Sequence, residues 1–443
     1  MAAVSVALVS CGGSSEPPLV DSGARLDAGG GASAGDARAG DDSSAPGGVD
    51  AYVPRGPCAS LDGELARAQT FMLPGLGMSI AWSSDDASIA VAGHFRDPAS
   101  TMRYDSKVYD TATGALLKSF DCHVYFTNAV AWADGTPLGP LLADGSFGHV
   151  VRLLDPRSPG STSCRDGGGQ FLPEEGLVTR LGPLNGAVTA VAFSPDATLV
   201  AAANRDPSVR VWQLAPGENQ FKAVALWFES SSAVGNYVSL AWSPDGSRLA
   251  TGDRQAGRVA VWSLEDARLT QEQIDAFATV GWDMDAQSRW YTANRTAQAP
   301  IWSDGGHGDV WNVRFSPDGG RIAAAGEEGN VSVFDAASGS PLFTLAPPSA
   351  VTLRGLDWSP DGRSIAAGAS DFSIYVFDVD ARALSQTLTG HADEVTAVAW
   401  SHDGCALASV AGGPLLSPDN HAVPETDTDP RVHDPVGRIW RRP

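Results

Sequence analysis

The sequence predicts an all-β fold: seven four-stranded antiparallel blades closed into a ring, a β-propeller, behind an unfolded N-terminal tail. Three observations predict it. From about residue 60 a strand–turn–strand phrase recurs to the end of the chain. The turn inside the phrase keeps the same chemistry at most repeats. The third strand of each phrase ends on a large apolar or aromatic residue.

Residues 238–262 read VSLAWSPDGSRLATGDRQAGRVAVW, residues 188–212 read VTAVAFSPDATLVAAANRDPSVRVW, and residues 354–378 read RGLDWSPDGRSIAAGASDFSIYVFD. Short apolar runs bounded by turn residues are strand signals. Aromatic anchors close the first strands at Trp82, Trp132, Phe193, Trp242, Phe315, Trp358 and Trp400, spaced by 50, 61, 49, 73, 43 and 42 residues. The last two spacings fit the period of about 40–45 residues of a four-stranded blade, and the longer ones require loop insertions. Third-strand anchors run in parallel at Tyr109, Leu154, Trp212, Trp262, Phe334, Phe377 and Trp440.

The turns have a physical reason. Ser-Pro-Asp-Gly stands at 243–246, 316–319 and 359–362, with variants SPDA at 194–197 and SHDG at 401–404. Serine bonds its own backbone, proline presets φ, and glycine suits the fourth position. Asp245, Asp318 and Asp361 are therefore expected to form turns rather than bind ligands.

These repeats resemble the WD-repeat family over roughly residues 60–441. Gly-His precedes an inner strand at Gly306-His307 and Gly390-His391. The aromatic-Asp pair survives at Tyr109-Asp110, Phe334-Asp335 and Phe377-Asp378, with no literal Trp-Asp in a third strand. The resemblance implies a bonded set of His, Asp, Ser/Thr and Trp within a blade. No repeat clearly retains all four, so rigidity is expected to rest on packing. Residues 66–73, ARAQTFML, match residues 383–390 in phase and are expected to supply the outer strand of the last blade. The 73-residue gap leaves two readings, a large insertion after the fourth blade or an eighth, degenerate blade over about 265–306; the insertion is favoured.

Composition limits function. Hydrophobic residues are 43 % and charged residues 19 % of the chain, enough apolar material for a core. The net charge is −22 and the lysines are Lys107, Lys118 and Lys222. Such a surface repels phosphate backbones, which argues against nucleic acid as a partner. No nucleophile elbow, zinc-protease helix, Walker loop or dinucleotide loop is present, so no enzyme and no cofactor are expected. The rival reading is a propeller hydrolase or dehydrogenase with its site in the central channel.

Residues 1–11 form a short apolar stretch in which Leu8-Val9-Ser10-Cys11 resembles the lipobox of bacterial lipoproteins. That resemblance implies lipidation of Cys11 and a place at the cell envelope, facing the periplasm or the exterior; a cytoplasmic protein with a chance cysteine is the alternative. No Lys or Arg precedes Cys11, which suggests a start codon assigned too far downstream. Residues 12–59, rich in Gly, Ala, Ser and Asp, read as a disordered tether.

Two interruptions of the repeats, 93–107 and 411–435, are expected on the face where blades are linked, and adjacent once the ring closes. Their His94, Arg96, Arg103, Tyr104, His421, Arg431 and His433 form an expected partner-binding rim on a monomeric propeller. The second is either a solvated acidic loop or, through Asp427, Asp429 and His433, a metal site. An exported chain permits disulfides, with Cys58–Cys405 and Cys122–Cys164 the expected pairs; buried free thiols are the alternative.

Overall fold

Four antiparallel strands make up each blade, hydrogen-bonded in chain order in six of the seven sheets that form the ring of the computed structural model. It describes residues 63–442 apart from 74, 97–101, 124–126, 160–175, 183, 185, 206–207, 216–220, 229–236, 279, 281–285, 287–288, 291–292, 294–298, 413–433 and 435. The first strand among the described residues is β1 (Ala66–Met72), which belongs to the last blade. Blade one is β2 (Gly75–Trp82), β3 (Ser88–Arg96), β4 (Met102–Asp110) and β5 (Leu116–His123). Blade two is β6 (Thr127–Thr136), β7 (Gly139–Ser146), β8 (Val151–Leu154) and β9 (Leu177–Leu181). Blade three is β10 (Val188–Phe193), β11 (Leu199–Asn204), β12 (Ser208–Leu214) and β13 (Phe221–Phe228). Blade four is β14 (Tyr237–Trp242), β15 (Arg248–Asp253), β16 (Arg258–Ser263) and β17 (Trp302–Gly305). Blade five is β18 (Val310–Phe315), β19 (Arg321–Gly326), β20 (Val331–Asp335) and β21 (Pro341–Leu345). Blade six is β22 (Leu353–Trp358), β23 (Ser364–Ala369), β24 (Ile374–Asp378) and β25 (Ala383–Leu388). Blade seven is β26 (Val395–Trp400), β27 (Ala406–Ala411) and β28 (Val436–Arg441), completed by β1.

The closure expected from the sequence is present. Met72 pairs with Val436 and Phe71 with Gly437 across β1 and β28. A Cβ on Gly437 would lie 2.0 Å from the Phe71 ring, so only glycine lets that ring lie there. Tyr109 Oη donates to the Met72 carbonyl at 2.9 Å, which ties the strand to blade one as well.

The blade count is seven, and the insertion sits within blade four rather than after it. It separates β16 from the short outer strand β17. Its helix α1 (Gln271–Ala278) starts with a reciprocal cap: Thr270 Oγ1 accepts the Gln273 N–H, and Gln273 Oε1 accepts the Thr270 N–H. Leu269 and Phe277 pack on the core between blades two and three. The Leu269 N–H reaches the Val224 carbonyl at 2.9 Å, covering the outer edge of β13.

The core is divided among the blade interfaces. One cluster joins blades one and two through Ala90, Val108, Val130 and Leu142. Another joins seven and one through Phe71, Ile89, Val410 and Ile439. Second strands such as RIAAAG and SIAAGA are buried at every position after the first, because a neighbouring blade covers each face. That is why they read as unbroken runs of small apolar residues rather than alternating ones.

The serine turns repeat in detail. Ser83, Ser194, Ser243, Ser316, Ser359 and Ser401 each donate to the Asp two residues on, at 2.5–2.7 Å. Each also accepts the N–H five residues on, at 2.8–2.9 Å. The fourth position lies in the left-handed region, occupied by Gly246, Gly319, Gly362 and Gly404 but also by Ala197 at φ 55° and Asp86 at φ 57°. Asp86 has a use that offsets the strain. It takes the His402 N–H, the His402 ring Nδ1 and the Asp403 N–H at the junction of blades seven and one.

The seventh blade also corrects an expectation. It does retain the full bonded set: His391 contacts Asp434 through Nδ1 at 2.7 Å and Ser409 through Nε2 at 2.8 Å, and Trp440 Nε1 donates to Ser409 at 2.9 Å. The set was hidden because Asp434 follows a long insertion.

Candidate functional site at the channel mouth

The serine turns join first to second strands, so they lie together at one end of the ring. Links between blades and the connections from second to third strands lie at the other. There the inner strands surround a cavity of about 250 Å³. All seven blades supply lining residues, among them Ile80, Val130, Val191, Leu240, Asn312, Arg354 and Val398.

Most polar groups of the wall are already engaged in holding blades together. Ser79 Oγ accepts the Val130 N–H at 3.2 Å, and Ser239 Oγ accepts the Val313 N–H at 3.0 Å. Asn312 Nδ2 donates to the Arg354 carbonyl at 3.3 Å. Thr189 and Thr396 donate to the carbonyls of Tyr237 and Gly77. Each bond crosses from one inner strand to the next, so these side chains are structural.

The guanidinium groups differ. Arg205 follows β11 and stacks over the Phe147 ring at 4.5 Å. Arg254 follows β15, and its Nε donates to Asp309 at 2.7 Å. Arg354, near the start of β22, meets Glu394 with its Nε at 2.8 Å. Trp311 of blade five receives Arg254 at 4.4 Å and Arg354 at 4.3 Å from its ring centre, one from each neighbouring blade. Such stacking holds a guanidinium in orientation. Burial, and then the Arg254 charge, push Arg205 below the usual arginine value. Burial does the same to Arg354, opposed by Glu394.

Further along the channel stands an ion pair. The residue before each first-strand anchor is alanine at 81, 131, 192, 241 and 399, but Arg314 and Asp357 in blades five and six. Arg314 Nε lies 3.8 Å from Asp357, which also accepts the Trp400 N–H at 2.8 Å. Burial pushes the Asp357 carboxyl above the ordinary range, against the pull of Arg314. Two other buried networks, Ser106–Asp144–Arg152 and Lys107–Asp105–Ser119, lie within and between blades one and two and serve packing.

Of the expected rim, His94 is buried on β3 and lines the cavity, and burial pushes its pKa down to about 3. Arg96, Arg103 and Tyr104 stand in β3 and β4, where Phe95 pairs with Arg103 and His94 with Tyr104; the first interruption is largely an extended hairpin rather than a loop. His421, Arg431, His433, Asp427 and Asp429 lie outside the described residues, as do Cys11, Cys58 and Cys164. Cys405 is disulfide-bonded, and its partner is not among the described side chains; Cys122 stands in β5. Among the described residues no group of three or more His, Cys, Asp or Glu is arranged to hold a metal.

Sequence reading missed Arg205, Arg254, Arg354 and Trp311. A signal was available: Phe147, Arg205, Arg254, Glu327, Ser370 and Gly412 all stand immediately after a second strand, so the repeats vary most where the channel opens.

Comparison with known proteins agrees with this architecture. The WD40 family, described as "WD domain, G-beta repeat", matches residues 177–213, 230–263 and 298–335. The anaphase-promoting complex subunit 4 WD40 domain matches residues 343–403. These matches support a WD-repeat propeller. The propeller is similar to small ribosomal subunit protein RACK1y of Oryza sativa subsp. japonica, 25 % identical over 39 % of this chain and 46 % of that protein. It is also similar to periodic tryptophan protein 2 of Saccharomyces cerevisiae, 26 % identical over 36 % of this chain and 15 % of that protein. The chain thus matches less than half the length of each of these two relatives.

Proposed function

We propose that this WD-repeat propeller is a non-catalytic scaffold that binds a protein or peptide partner at the channel mouth. The observation that carries the reading is the contrast within the wall. Its Ser, Thr and Asn side chains commit their hydrogen bonds to neighbouring blades, whereas the arginines of the linking face, which also reach across blades, keep terminal N–H groups that no described residue takes. The similarity to a protein of the small ribosomal subunit, a component of a larger assembly by its name, supports a role in association. In this proposal the propeller works at the bacterial cell envelope, tethered by residues 12–59 to a lipid on Cys11.

Two measurements test it. Affinity capture from cell envelopes with wild type and Arg254→Glu should retain a partner with the first and lose it with the second; equal retention places the partner elsewhere. Metabolic labelling with a fatty acid should mark wild type and not Cys11→Ala; absence of label in both refutes the anchor. A second reading, a channel enzyme, draws on the buried Asp357 carboxyl beside Arg314. Asp357→Asn leaving partner capture intact while abolishing a hydrolytic activity would favour it.

A further inference from the structure

We infer that Arg205, Arg254 and Arg354 form a receptor for an anionic oxygen group, a carboxylate or a phosphate, carried by a short peptide segment entering the channel mouth. The inference rests on this face being the binding face and names the chemistry it recognises.

The hydrogen-bonding capacity of the three side chains is the first argument. A guanidinium offers five N–H donors in a planar fork that fits carboxylate and phosphate oxygens. Arg254 engages Asp309 through Nε, and Arg354 meets Glu394 through Nε. Arg205 Nε is buried without a hydrogen bond, as is Trp311 Nε1. Among the described residues the terminal nitrogens of all three arginines make no hydrogen bond. Their faces are stacked on Phe147 and Trp311, so what remains for a ligand is their N–H edges.

Position in the repeat is the second. The place that holds Arg205 and Arg254 holds Ser370 in blade six and Gly412 in blade seven, so the blade does not need a cation there. Asp309 and Glu394 offset Arg254 and Arg354, whereas Arg205 has no carboxylate partner among the described residues and is opposed by the Arg254 charge, which a bound anion relieves. Size is the third. A cavity of about 250 Å³ admits a side chain or a few residues, not a domain.

Calorimetry on the full chain tests this with three probes: the pentapeptide AEAEA capped at both ends, its AQAQA counterpart, and inorganic phosphate. AEAEA is expected to bind at least about tenfold more tightly than AQAQA, and Arg205→Gln to weaken AEAEA at least about fivefold while circular dichroism and melting stay unchanged. Phosphate alone binding as tightly as AEAEA overturns the peptide as source. Equal binding of AEAEA and AQAQA overturns charge recognition but leaves a peptide scaffold standing. If neither peptide binds at millimolar concentration while envelope capture still depends on Arg254, the inference falls and the scaffold reading survives.

Discussion

The two ends of the ring are made from the same seven repeats under opposite rules. At the turn end, the repeats converge: Ser, Asp and a left-handed fourth residue make the same bonds in six blades. At the channel mouth, equivalent positions diverge from Phe147 to Arg205, Arg254 and Glu327. Repeating chemistry marks what closure requires. Variation at equivalent positions marks what closure leaves open. The arginines, which repel one another, occupy the part left open.

The largest effect should come from the seam. Deleting residues 60–74 removes β1, strips blade seven of its outer strand and takes Phe71 out of the core between blades seven and one. The protein is expected to lose its cooperative melt or to melt at least about 10 °C lower, since one exposed edge and one opened core interface remain. An unchanged melt would break the account of closure.

Next is the bonded set of blade seven. Ser409→Ala removes the partner of both His391 Nε2 and Trp440 Nε1 in a buried site. The expected cost is about 2–3 kcal/mol by chemical denaturation. Thr251→Val in blade four, where Trp262 Nε1 alone loses its partner at 2.9 Å, should cost about 1–2 kcal/mol. Equal costs would mean that the fuller set adds nothing to the seventh blade.

A smaller effect comes with acid. Hydrogen bonds from Ser243 and then Ser247 hold Asp245 down to about 2. Asp196 and Asp318 are also lowered, by Ser194 and Thr198 against burial in the first and chiefly by Ser316 in the second. A carboxylate with a depressed folded value adds stability above its unfolded value, about 4, and loses it as pH falls toward 2. The melting temperature should fall through that window, and less steeply in Ser243→Ala. An equally steep fall in the variant would remove the turn serines as the cause.

The turn end was legible because its chemistry is local. Residues 243–246 carry their own instructions, and five closely similar copies leave little to infer; the sixth turn, SSDD at 83–86, lacks the proline and glycine and shows only in the structure. Closure was legible because residues 66–73 repeat the phase of residues 383–390. The channel mouth was not legible, because its parts lie far apart in sequence: Arg254 and Arg354 meet on Trp311, and Arg205 joins them in lining one cavity, only once the ring closes. In a chain of net charge −22, a scan for basic runs finds nothing. The insertion was misplaced by a few residues because β17 is four residues long, too short to show a period. His391 was separated from Asp434 by a segment longer than a whole blade connection, so their pairing had no local signature.

The most direct test of this division is the thermal melt of the double variant Arg205→Gln, Arg254→Gln, set against Ser243→Ala at the other end. Groups placed for binding rather than folding can be removed without loss, and sites under mutual repulsion gain when it is relieved. The double variant is therefore expected to melt within about 2 °C of wild type or above it, and Ser243→Ala about 2–4 °C below. A double variant that melts well below Ser243→Ala would show that the arginines hold the ring together, and would contradict the account.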